Sequence, residues 1–310
     1  MVKELFYFLV FPGLLFSAVI GGFLSWFDRK ITARVQFRQG PPLLQPLYDF
    51  LKLLLVKETI LPKRGSQLTF LLAPVFALFG ATMAAVFILL PAFGIATGFA
   101  GDIIVVIYLL NIPSVSYILG ALAAGNPLAN VGASREMKLI LSYEAPFLLV
   151  LLMVVIKAGM VISFSEIVAY QQANGAFIGS VSGVIGFIVL MMCIQAKLAL
   201  VPFDMPEGEG EISDGITIEY SGTPYSLIFL AKYIMLFVLP ALVVSLLMSG
   251  LPLQGWHILW SVLKILLIVL LITLVRNTNP RVKIRQAMRF FWVWMNLLAL
   301  IAVILAIFGL

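Results

Sequence analysis

Charge is scarce in this chain of 310 residues: Asp, Glu, Lys and Arg supply 11% of it, against 62% hydrophobic residues and a mean hydropathy of +1.12. A water-soluble surface needs about a quarter of its residues charged, and disordered chains are poor in aliphatic residues, so both classes are excluded. Metal ligands are scarcer still, with one Cys (Cys193) and one His (His257). An iron–sulfur cluster usually takes about four thiolates and structural zinc about four Cys or His ligands, so any redox metal belongs to a partner. Cys193 reads as a packed thiol in an apolar run, and His257, between Trp256 and Trp260, as an interfacial ring. Internal repeats are also lacking, which leaves an inverted-repeat transporter unsupported.

What the chain has is long apolar runs. Crossing about 30 Å of hydrocarbon takes roughly 20 apolar residues of helix. Eight stretches qualify: Leu5 to Phe27, Leu68 to Pro91, Ile103 to Ala123, Met137 to Ile156, Phe177 to Leu198, Tyr225 to Met248, Ile258 to Val275 and Phe290 to Phe308. The expected fold is all-α, a single polytopic membrane domain over residues 1–310, with long connections near 28–67, 199–224 and 276–289. The first run is too long for a signal peptide and lacks a small-x-small cleavage site. Basic residues crowd the first connection, including Arg29, Arg34, Arg38 and Arg64, and the last one, including Arg276, Arg281 and Arg285. The positive-inside rule makes these sides cytoplasmic and puts both termini outside. Between Leu43 and Leu55 apolar residues recur at helical spacing with Gln45, Asp49 and Lys52 among them, the pattern of an interfacial amphipathic helix resting on lipid.

A few charges resist a topological explanation. Glu144 stands about seven residues into the expected fourth span, roughly 10 Å from its start, too deep for a glutamate to reach water unaided. Pro146 frees the carbonyl of Ser142 nearby. Lys232 has a similar depth in the sixth span and Lys264 is near the middle of the seventh. Together these three side chains have the chemistry of a proton relay, with a structural ion pair as the bland reading. The connection between the fifth and sixth spans carries Asp204, Glu207, Glu209, Glu211, Asp214 and Glu219 with no base. A solvated acidic loop is the usual fate of such a run. Against it, Phe203, Ile212, Ile216, Ile218 and Tyr220 in the same segment indicate a folded loop whose clustered carboxylates can hold protons or cations.

The same residues carry a resemblance. Pro202-Phe-Asp204, Glu207-Gly-Glu209-Gly-Glu211, Glu219-Tyr-Ser-Gly222 and Ser142-Tyr-Glu144 resemble signatures of the H subunit of respiratory complex I, and Asp28-Arg-Lys-Ile-Thr-Ala-Arg34 with Leu44-Gln-Pro46 resembles its first loop. Four ordered motifs between Phe27 and Tyr233 make the match specific. The resemblance implies eight transmembrane helices and a subunit that joins a peripheral redox arm to antiporter-like membrane subunits. By position it implies that Asp204, Glu207, Glu209 and Glu211 form the coupling loop with Glu219 at its end, that Glu144 belongs to the ion path, and that Arg29, Arg34 and Arg38 face the redox arm; Asp214 joins the coupling acids only as a member of the same acidic run.

Two departures matter. Gln39-Gly-Pro-Pro42 runs almost directly into Leu44-Gln-Pro46, an abbreviated form that resembles the membrane anchors of energy-converting [NiFe] hydrogenases and weakens a quinone site built on that loop. Lys232 stands where complex I usually has a glutamate. The resemblance thus implies a ferredoxin-dependent pump of protons or sodium in a prokaryotic cell membrane, without a cofactor in this chain. Iron–sulfur clusters, and a NiFe centre in the hydrogenase case, would lie in hydrogenase-like large and small subunits and a ferredoxin-like cluster subunit. A quinone reductase or a sulfur-reducing relative remains the near alternative, and an independent transporter or a passive anchor the distant ones; nothing points to nucleic acid.

Overall fold

A computed structural model describes the chain apart from Met1, Arg64, Ala96, Thr97 and Gln254, and apart from the side chain of Glu209; the basic residue Arg64 and the Glu209 carboxylate expected in the coupling loop therefore lie outside what is described. Among the described residues there are helices and no strands. In chain order the helices are α1 (Val2–Leu9), α2 (Leu14–Val35), α3 (Gln45–Leu51), α4 (Gln67–Ala92), α5 (Asp102–Ala123), α6 (Pro127–Lys157), α7 (Phe164–Asn174), α8 (Val181–Lys197), α9 (Glu209–Ile212), α10 (Gly222–Leu247), α11 (His257–Thr278), α12 (Ile284–Arg289) and α13 (Asn296–Ile307). Seven helical stretches are long and apolar enough to span a membrane, those of α1–α2, α4, α5, α6, α10, α11 and α12–α13, and α8 is a shorter apolar helix. These account for the eight expected runs.

The boundaries differ where hydrogen bonding and hydropathy part. The fourth span begins ten residues before the expected Met137, because Asn126 caps it by accepting the Leu128 amide at 2.9 Å and Pro127 occupies the first turn. Asn130, Ser134, Arg135 and Glu136 kept this stretch out of the apolar window. Glu144 is consequently about 26 Å of rise into α6, and not about 10 Å. The first span runs on to Val35, so Asp28, Arg29 and Arg34 are helical residues. The fifth span is shorter than the expected Phe177 to Leu198: Phe177–Gly179 forms a 3₁₀ turn and Ser180 starts α8 by accepting the Gly183 amide.

Helix α10 is the centre of the bundle, in contact with α2, α4, α8 and α11, and most of its length is buried. The C-terminal carbonyls of a helix lack partners, and in a membrane they must find them. Gln171 of α7 donates to the carbonyls of Ser245 and Leu246 at 3.0 and 3.1 Å and accepts the Ser249 amide at 3.0 Å. Along α4, Ala77, Ala81, Ala84 and Ala85 are fully buried, and such small side chains let α5 and α10 approach closely. The interfacial helix α3 continues as a π turn over Lys52–Val56 and leaves Leu44, Leu47 and Leu55 exposed, an apolar edge without a cover in this chain.

Candidate functional site: a charged cavity beneath the acidic loop

The segment between α8 and α10 is folded against the bundle. Phe203, Ile212, Ile216 and Tyr220 are buried, and the Tyr220 ring stacks on Phe70 at 4.1 Å while its hydroxyl donates to the Phe70 carbonyl. Burial pushes the Tyr220 phenol above its ordinary range, which keeps it a donor. Gly132 of α6 admits the loop: a Cβ there would meet the Ile216 amide nitrogen at 2.7 Å and the Pro206 carbonyl at 2.8 Å.

The acids that lack bases in sequence obtain them from α6, α10 and the connection between α11 and α12. Arg281 binds Asp204 at 2.8 Å, Arg135 of α6 binds Glu211 at 2.7 Å, and Lys232 of α10 pairs with Glu207. Glu219 accepts from Asn126 at 2.6 Å, at the start of α6. Asp214 is exposed, in a left-handed conformation (φ 69°), and borders the cavity described next.

Behind this loop lies a cavity of about 360 Å³. Its lining balances four acids (Asp28, Glu136, Glu207, Asp214) with four bases (Arg29, Lys197, Lys232, Arg276). Asp28 is held by Arg276 at 2.7 Å and by the Thr273 hydroxyl at 2.8 Å, and Arg29 turns to Asp49 of α3 at 2.6 Å. Arg29 therefore lies partly inside the protein, whereas Arg34 and Arg38 are exposed. Glu136 is 3% exposed and its Oε2 has no hydrogen-bond partner. Glu207, Lys197 and Lys232 are the charges that act on it.

From the cavity the ionisable groups continue into the bundle. Lys197, buried at the end of α8, places its ammonium over the rings of Tyr143 and Phe147 at 4.9 and 5.3 Å and donates to Asn111 Oδ1. Asn111 Nδ2 donates to Glu144 Oε1 at 2.6 Å. Asn111 also lines an apolar groove of about 590 Å³ between α4 and α5. Ser142 does not join the cluster, because its hydroxyl bonds back to the Lys138 carbonyl at 2.7 Å.

The structure thus puts Glu136 and Lys197 in the lining of the same cavity as the Glu207–Lys232 pair, and Asn111 bridges Lys197 to Glu144. Lys264 is elsewhere: it donates to the Met248 carbonyl at 2.6 Å, about 24 Å of helix from Lys232. Glu136 and Lys197 escape a reading by apolar runs because each stands at the edge of one, where charge passes for topology. The cap signal at Asn126-Pro127 would have placed Glu136 inside α6, on the face of Tyr143 seven residues on. Among the described residues no group of three His, Cys, Asp or Glu is arranged to hold a metal.

Comparison with known proteins agrees with this architecture. A family model described as NADH dehydrogenase matches residues 8–307. The H subunit of NADH-quinone oxidoreductase from Anoxybacillus flavithermus is 35% identical over 92% of this chain and 88% of its own, and that from Dehalococcoides mccartyi is 33% identical over 97% and 86%. A chain from the structure of the membrane-bound sulfane sulfur reductase, an archaeal respiratory membrane complex, superposes with a TM-score of 0.88 at 28% identity, covering 99% of this chain and 100% of that one. Eight apolar helical runs, the folded acidic segment and the matches together mean that this multi-pass membrane protein belongs to the NADH dehydrogenase family, whose members include the H subunit of NADH-quinone oxidoreductase.

Proposed function

We propose that this chain is the membrane coupling subunit of a multisubunit, redox-driven ion pump of the hydrogenase and sulfur-reductase type. The observation that carries the reading is the Glu207–Lys232 pair, which ties the acidic loop to a cavity holding the buried Glu136 and, through Lys197 and Asn111, to Glu144. A charge change above the loop alters the field on Glu207, and the effect passes along ionisable side chains into the membrane. Asp204, Glu211 and Glu219 anchor the loop, and Arg34 and Arg38 offer exposed cations to the redox subunits. Clusters and the terminal metal site belong to those partners, with ferredoxin as electron donor; antiporter-like membrane subunits complete the pump. The chain lies in a prokaryotic cytoplasmic membrane with the acidic loop inside and both termini outside.

A quinone-reducing complex is the second reading, favoured by the names of the curated relatives. Two features favour the first. The cavity is lined by four acids and four bases, which suit water and protons better than an apolar quinone ring. The stretch between α2 and α3 is short, with Trp26 Nε1 donating to the Pro41 carbonyl at 3.1 Å and α3 starting at Gln45, and the sulfane sulfur reductase chain matches over its full length. The test is the metal content and activity of the complex that copurifies with this chain in mild detergent. Nickel with hydrogen evolution from reduced ferredoxin supports the hydrogenase form, and iron with ferredoxin-driven sulfane reduction the sulfur-reducing form. Inhibitor-sensitive quinone reduction would transfer the chain to the second reading, and an intact preparation without iron would overturn both.

A further inference from the structure

We infer that Lys197 is a moving proton carrier between Glu136 and Glu144, so that the path through this chain conducts protons. The inference rests on the coupling role proposed above and supplies the step that the static geometry lacks. Asn111 joins Lys197 to Glu144, but an ammonium only donates and a carboxylate only accepts, which fixes the amide with Oδ1 toward Lys197 and Nδ2 toward Glu144. A primary amide held this way latches two charges and does not relay a proton between them. On the other side, Glu136 Oε2 is buried without a partner in the cavity that Lys197 also lines. Both carboxylates act electrostatically on Lys197. Its flexible four-carbon stem lets the ammonium leave the Asn111 latch and slide across the Tyr143 ring toward Glu136.

The transfer balances without a further reactant. An N–H bond of the Lys197 ammonium breaks as an O–H bond forms on one carboxylate, leaving a neutral amine and a neutral carboxylic acid. The amine then takes a proton from the other carboxyl group when that is protonated, which restores the ammonium. A sodium ion would have to pass the same ammonium and meets like charge.

The test uses the whole complex in proteoliposomes, reading proton uptake with an internal pH dye alongside the rate of electron transfer. Lys197→Arg keeps the positive charge but does not give up its proton at any working pH. We expect Lys197→Arg, Lys197→Gln and Glu144→Gln all to lose proton uptake while electron transfer persists. Proton uptake at the wild-type rate in Lys197→Arg, with Glu144→Gln inactive, would overturn the carrier role and leave the coupling role standing. Wild-type uptake in Glu144→Gln would overturn the relay itself. If Lys197→Arg fails to assemble, Glu136→Gln decides: lost uptake supports the shuttle, and normal uptake overturns it.

Discussion

Lys232 of α10 and Glu207 of the acidic loop form an ion pair in the lining of the charged cavity, their side chains 33% and 27% exposed. The pair joins a central membrane helix to a segment whose own sequence offers no cation. Lys232→Glu sets like charges face to face. Hydrogen exchange across residues 203–219 is expected to rise, with the local opening free energy lowered by about 1–3 kcal/mol. The exchanged pair Lys232→Glu with Glu207→Lys should recover most of the protection. Unchanged exchange in the single variant would show that the loop is held by its other anchors.

Gly132→Val is expected to lift the loop from α6. The added atoms meet the backbone of Ile216 and Pro206, which cannot rotate away as a side chain can. Greater exchange in the loop and weaker retention of the redox subunits during purification are the expected signs, with the helix content unchanged by circular dichroism. Full retention of those subunits would argue that they bind elsewhere.

Lys264→Met separates two roles for one residue. Its ammonium satisfies the Met248 carbonyl at the end of α10, so its loss should lower thermal stability by about 1–3 kcal/mol. Proton uptake per electron should be unchanged, because the side chain is remote from the cavity. Loss of uptake in a stably assembled complex would return Lys264 to the ion path.

Orientation is accessible because Cys193 is buried and silent toward impermeant maleimides. Cys introduced by Arg38→Cys should react only in inside-out vesicles, and by Trp256→Cys only in right-side-out ones. Both positions are exposed and lie at opposite ends of the spans. The opposite pattern would place the acidic loop outside.

Much of this protein is determined by composition and period. Apolar runs of about 20 residues must become helices in hydrocarbon, because backbone groups have no other partners there. The eight spans, the long charged connections and the folded nature of the acidic segment are therefore legible residue by residue, as is Glu144, whose charge has no topological use. Tertiary structure decided which charges meet. Arg281, Arg135 and Lys232 come from three separate elements to the acids of one loop, and Asp28 of α2 finds Arg276 of α11. Glu136 and Lys197 look like ordinary charges at the ends of apolar runs until α6 extends back to Pro127 and the acidic loop closes over them. Hydropathy reports where the chain enters lipid, whereas the burial of a charge depends on what covers it. That cover comes from residues distant in sequence, so only the folded bundle makes it visible.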